Sequence, residues 1–231
     1  MKYFKYETHL HTAESSACSI ASAQDQVDFY AEKGYAGIIV TDHFLNGNTT
    51  VPREGLSWKE KIEKFCEGYE NALSEGKQVG LDVFFGWEAS FGGTDFLTYG
   101  LSPKWLIENE KIMDMPYWDY LRYVRDEGGF IVHAHPFREA GYIIGGIKLK
   151  PRDTDAVEII NANRTDFENK MAKEYAKNYG IAPFAGSDNH ESYGQKKLAG
   201  IKTKERAESI IDFIDIIQCG EYKIFFEENK R

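Results

Sequence analysis

Six histidines make up the whole imidazole inventory of this 231-residue chain, and four of them come in pairs spaced two residues apart. In an extended strand, residues two apart project from one face. His9 and His11, in Thr8-His9-Leu10-His11-Thr12, therefore point together while Leu10 turns towards packing. Two imidazoles on one face are half of a metal site. The remaining candidates also sit in short polar clusters: Asp42 with His43, Glu88, Asp95, His133 with His135, and Asp188 with His190. Imidazole and carboxylate are the ligands of Zn, Mn and Fe, and this many of them would hold two or three divalent ions. A carboxylate such as Glu88 can bridge two of them. Ions about 3.5–4 Å apart can hold a hydroxide and clamp an anionic oxygen, which is chemistry suited to phosphoester hydrolysis. No Gly-x-Ser-x-Gly or cysteine signature of a covalent nucleophile is present.

The elements that must position these groups follow a repeated pattern of apolar strand, polar loop and helix. A strand ends at His9/His11, and a helix starts at Ser22 or Ala23 and closes near Gly34. A short apolar run, 36–40, suits a strand buried on both faces and stops at Thr41-Asp42-His43. A helix over 58–75, capped by Ser57, precedes a strand over 81–87 that ends at Glu88. A Gly-rich turn leads to a strand over 95–99. A helix over 117–127 precedes the strand 130–132 that ends at His133 and His135. The strand 157–160, a helix over 165–178 and the segment 182–185 lead to Ser187-Asp188-Asn189-His190. A helix over 204–218 and an apolar segment 222–226 complete the chain. Such alternation predicts an α/β fold with a parallel sheet, and six or seven units favour a barrel over an open sheet. Barrel active sites lie at the C-terminal ends of the strands, where every candidate cluster falls.

Within the pairs the readings differ. Only one of His133 and His135 needs to ligate, and His135 is preferred. Glu14 and Cys18 lie in the loop after His11 within reach of the site; capping or plain solvation is expected of Glu14 and packing of Cys18. Asp42 can orient a ligand histidine or a water, as carboxylates behind metal ligands do. Arg138 and Arg164 would share the same rim, where a guanidinium can fork onto phosphate oxygens.

Composition bounds the class. With 42% hydrophobic and 28% charged residues the chain is ordinary for one globular domain of the larger kind. A net charge of -9 argues against extended nucleic acid as a partner, but not against a small anionic substrate held by metal ions. Three widely spaced cysteines, no apolar signal-like N-terminus and no run long enough to span a bilayer predict a cytoplasmic protein without membrane attachment. The sequence is silent on oligomeric state.

Taken together, His9-Leu10-His11-Thr12, Thr41-Asp42-His43, Gly86-Trp87-Glu88, His135-Pro136 and Ser187-Asp188-Asn189-His190 resemble, in order and over nearly the whole chain, the PHP (polymerase and histidinol phosphatase) family of metal-dependent phosphoesterases. The resemblance implies a single PHP domain over 1–231, folded as a distorted (β/α)7 TIM-like barrel with two or three metals at the strand C-termini. It implies that His9, His11, Glu88 and Asp188 hold one ion, that Glu88 bridges to a second held also by His135, and that His43 and His190 serve a third. Many members have histidine where Asp95 falls. Some have a histidine in the loop that here reads Glu14-Ser15-Ser16-Ala17-Cys18, so that Glu14 would have to stand in for it. The implied activity is phosphatase or phosphodiesterase action on a small phosphorylated metabolite such as histidinol phosphate, through a metal-bound hydroxide. A metal-dependent amidohydrolase, which also uses His-x-His at a barrel strand end, and a non-catalytic metal-binding domain are the alternatives.

Overall fold

The computed structural model describes residues 3–143 and 145–230. Nine strands form one mixed sheet: β1 (Phe4–Leu10), β2 (Gly37–Val40), β3 (Asp82–Ser90), β4 (Asp95–Tyr99), β5 (Phe130–Ala134), β6 (Ala156–Asn161), β7 (Ala182–Gly186), β8 (Lys197–Thr203) and β9 (Tyr222–Glu228). The helices are α1 (Ala23–Glu32), α2 (Trp58–Phe65), α3 (Glu67–Val79), α4 (Pro103–Glu108), α5 (Tyr117–Asp126), α6 (Asp166–Tyr179) and α7 (Ile210–Gln218). The strand order is β7-β6-β5-β4-β3-β2-β1-β8-β9, so the first seven strands lie side by side in chain order. The sheet curls until the stretch after β7 meets β1: His11 N–H donates to Asn189 O, and Asn189 N–H to His9 O. It is a nearly closed barrel.

Two features depart from an all-parallel repeat. β4 runs antiparallel to both β3 and β5, because only 91–94 separate β3 from β4 and so short a link permits nothing but a hairpin. β8 and β9 add two antiparallel strands beside β1. The reversal matters for the site. β4 begins, rather than ends, at the rim where β1, β2, β3, β5, β6 and β7 finish, so its first residue, Asp95, arrives at the same place.

Helix starts follow their capping chemistry. Ser22, Ser57 and Thr165 each accept from the backbone N–H three residues on, and Asp25, Glu60 and Glu168 reach back to complete capping boxes. The single helix expected over 58–75 is two. Ser15 enters the junction, donating to Phe65 O and accepting from Gly68 N–H, and the chain turns at Cys66.

The core is layered around the sheet. Tyr6, Ile39, Phe84, Leu97, Tyr99, Val132 and Phe184 pack together, closed at the Tyr6 end by Phe213, Ile214 and Ile217 of α7. Outside the sheet, α1 and α3 cover β1 and β2, and α2, α4 and α5 cover β3 and β4. With the far end plugged by α7, the opposite rim is left for polar side chains.

Candidate metal centre

At that rim the backbone of β1 aims His9 and His11 together, their rings 5.1 Å apart. Each is held by the same device. His9 Nδ1 lies 3.0 Å from Glu158 Oε1 on β6, and His11 Nδ1 lies 3.2 Å from Ser16 Oγ, which itself donates to Asp42 Oδ1. With Nδ1 engaged, each ring presents Nε2 to the centre, the posture of a metal-ligating histidine. Both Nε2 atoms are buried and lack a hydrogen-bond partner. Buried polar atoms are seldom left so, and the convergence of several of them marks a site built for something else.

Glu88, at the end of β3, is the hub. Its Oε1 lies 3.1 Å from His135 Nε2 and 3.5 Å from His9 Nε2. Its Oε2 lies 2.6 Å from His43 Nδ1 and 3.7 Å from His11 Nε2. The close approach to His43 lacks hydrogen-bond alignment, so Oε2 is also unpartnered. Asp188 faces the same space, its Oδ1 3.3 Å from His11 Nε2 and 3.5 Å from His9 Nε2. Ligand atoms within 4.8 Å of one another form four groups: His9/His11/Glu88, His9/His135/Asp188, Glu88/Asp95/His135 and His11/His43/His190. The donor set fits divalent ions with imidazole and carboxylate ligands. Two of its members, His135 and Asp188, have left-handed backbone (φ 26° and 55°), strain that non-glycine residues carry at functional positions.

The electrostatics show how tightly these groups are coupled. Burial opposes a proton on His9, yet the Asp188 and Glu158 carboxylates outweigh it and hold the pKa well above the imidazole range. Burial, with His190 and His43 nearby, takes His11 the other way. Burial would also raise Glu88 and Asp188; the surrounding imidazoles, His43 foremost for Glu88 and His9 for Asp188, hold both well below the usual carboxylate range.

All eight principal ligand candidates are thus brought together: His9, His11, His43, Glu88, Asp95, His135, Asp188 and His190. The secondary ones are not. Glu14 points away and accepts from Ala23 N–H at the start of α1, the capping role expected of it. His133 projects from the other face of β5, stacked on Phe96 and edge-on to Tyr175. Burial pushes its pKa down to about 3, so it is neutral. Asp42 touches no ligand ring; both its oxygens are spent on Thr12 and Ser16, so it builds the loop that holds His11 and His43. Arg138 pairs with Asp95, and Arg138 and Arg164 line a cavity of about 1000 Å3 that opens over the centre.

Three contributors, Glu158, Glu7 and Arg53, escaped the sequence reading, and Cys18 was read differently. Glu158 sits mid-strand in an apolar run, where only its contacts with His9, His135 N–H and Asn161 reveal it. Glu7, wholly buried and raised to about 7 by burial, ties β1 to Ser187 and to Tyr30 of α1. Arg53, from the loop after β2, joins Arg138 and Arg164 on the cavity wall. Cys18 does not pack inwards: its Sγ lies 3.1 Å from His43 Nε2, facing the same cavity.

Comparison with known proteins gives a family match over part of the chain and several similar folds. The family described as PHP-associated matches residues 166–193, which run from α6 through β7 to Asp188 and His190. The fold is similar to that of a two-domain protein from Bacteroides vulgatus that contains a predicted PHP-like metal-dependent phosphoesterase (TM-score 0.74, 15% identity). The chain's fold is PHP-like. The similarity covers 98% of this chain and 65% of the two-domain protein, so the chain spans a little under two thirds of that neighbour. A candidate metal-dependent phosphoesterase from Bifidobacterium adolescentis matches with TM-score 0.58 at 12% identity, covering 93% of this chain and 96% of that one. An amidohydrolase from Chromobacterium violaceum, with bound sulfate and no metal, matches with TM-score 0.53 at 14% identity, covering 96% and 97%. No curated protein matches the sequence. No helix among the described residues is long and apolar enough to cross a membrane.

Proposed function

We propose that this PHP-like chain is a metal-dependent phosphoesterase acting on a small phosphorylated molecule. The observation that carries the reading is Glu88, wholly buried with each oxygen turned to a different pair of histidines, beside two Nε2 atoms that no protein group satisfies. His9, His11, Glu88 and Asp188 would hold one ion, Glu88 with His135 and Asp95 a second, and His43 with His190 a third; zinc, manganese and iron all suit these donors. When bound, such ions supply Lewis acidity and activate water at neutral pH. The chain's own groups do the rest. Glu158 and Ser16 fix the tautomers of His9 and His11, and Asp42 anchors the Ser16 loop. Arg138, Arg164 and Arg53 are placed to receive phosphate oxygens at the cavity mouth and to stabilise the charge that builds there.

We read residues 1–231 as one domain and the ring β1–β7 as the distorted seven-stranded barrel of the family, with a cytoplasmic setting for its three unpaired cysteines. Histidinol phosphate is one member of the substrate class. The amidohydrolase reading draws on the same His9/His11 pair and on the likeness to the Chromobacterium enzyme; the three arginines on the cavity wall favour a phosphoester instead. A panel of phosphomonoesters and phosphodiesters, assayed with Zn, Mn or Fe and again after chelation, tests the proposal. Turnover lost on chelation and regained with metal supports it; turnover of amides or lactones alone, or metal binding with no hydrolysis, overturns it.

A further inference from the structure

Cys18 faces the rim cavity, and that reading leaves it unused. The loop that carries it is pinned on both sides. Ser16 bonds Asp42 and the His43 N–H, Ala17 N–H donates to Asn48 O, and Ser19 Oγ donates to the carbonyls of His11 and His190. The thiol between these anchors faces the ring edge of His43 at 3.1 Å. A tetrahedral ion with sulfur at about 2.3 Å and nitrogen at about 2.0 Å sets its S and N ligands roughly 3.5 Å apart, so a shift of a few tenths of an ångström lets one ion accept both. His190 and His11 complete the surroundings: their rings are 4.1 Å apart, His11 and His43 are 4.3 Å apart, and the buried His11 Nε2 has no partner. Glu14, the other candidate of this loop, is spent on α1.

We propose that Cys18 is a protein ligand of the ion held by His43 and His190, binding as thiolate with its proton released to solvent. The inference rests on the metal-site reading above and adds a consequence. A soft sulfur donor among imidazoles biases this position towards zinc or cobalt(II) and away from manganese and magnesium, whereas the carboxylate-rich positions around Glu88 carry no such bias.

Cobalt(II) titration of the metal-free full chain, kept reduced, tests it. The expected result is a thiolate-to-cobalt charge-transfer band, together with zinc protection of Cys18 from alkylation as mapped by peptide mass. Cys18→Ala should lose the band and one equivalent of bound metal; Cys18→His should lose the band and keep the equivalent. Cys66 is buried at the junction of α2 and α3, and Cys219 caps the far end of α7, so neither faces this centre to supply the band. Absence of the band in the parent protein, or alkylation of Cys18 unaffected by zinc, overturns the inference even if the variants fail to fold. The phosphoester panel on the same samples separates the two proposals. A band without hydrolysis sinks the functional reading alone, and metal-dependent hydrolysis without a band sinks this one alone.

Discussion

At the scale of single residues, a ligand's quality depends on what stands behind it. His9 presents Nε2 only because Glu158 Oε1 holds Nδ1, and Glu158 also receives the His135 N–H and the Asn161 amide. Replacing it with glutamine keeps the shape but sets an amide against groups that now meet a carboxylate. We expect Glu158→Gln to weaken metal binding by about 10–100-fold with the fold intact, read by calorimetric metal titration; unchanged affinity would remove Glu158 from the design. His133 gives the opposite case. It lies two residues from His135, yet both its nitrogens are buried without partners in an aromatic sandwich. His133→Phe fills the same space without two orphaned polar atoms, so stability should stay level or rise by about 1 kcal/mol, with metal content unchanged. Loss of an ion from that variant would restore His133 as a ligand. Spacing brought both histidines of the 133/135 pair forward with His135 preferred, and the two side chains lie on different sides of β5.

At the scale of elements, the sequence disclosed where strands end better than which way they run. Runs such as 36–40 and 130–132 are apolar because both faces are covered, and their polar terminators, Asp42-His43 and His133-Ala134-His135, stand out by contrast. Strand direction leaves no such mark, so the reversal of β4 emerged only from the short link at 91–94. β8 was hidden for a packing reason. Its centre is Gly200, where a Cβ would come 2.2 Å from Tyr6 O, and a glycine between lysine-flanked ends reads as loop. The α2–α3 break was equally invisible, since the helical periodicity runs straight through it while Ser15, fifty residues away, makes the turn. That junction gives a test. A Cβ on Gly68 would lie 2.0 Å from Thr12 Oγ1 and 2.7 Å from Asp42 Oδ2. Gly68→Ala should therefore cost roughly 1–3 kcal/mol by overpacking and loosen the loop that holds His11 and His43. Denaturant unfolding read beside metal content would show it; a variant as stable as the parent would mean that α3 shifts freely.

At the scale of the molecule, the barrel gathers Glu7, Asp42, Glu88, Asp95, Glu158 and Asp188 at one end, all buried, in a chain of net charge -9. Five buried or half-buried imidazoles, His9, His11, His43, His135 and His190, stand among them. Divalent ions would offset that excess of carboxylate only in the folded state, because the unfolded chain scatters the ligands from His9 to His190. Binding must then raise stability by mass action, by about 2.7 kcal/mol at a free metal concentration one hundred times Kd. For a domain of this length each kcal/mol moves Tm by about 2–4 °C, so adding zinc to the metal-free chain should raise Tm by about 5–10 °C, and chelation should reverse it. Asp188→Asn is the control that ties the shift to the centre. Asparagine tolerates the left-handed backbone at this position (φ 55°), so the fold should persist while one carboxylate ligand is gone. Differential scanning calorimetry of the parent and the variant, each with and without metal, should give a large shift in the first and a reduced one in the second. Equal shifts would place the stabilising ion somewhere other than this rim. No shift in either would mean that the carboxylates and histidines satisfy one another, and that the barrel end is a self-contained polar network.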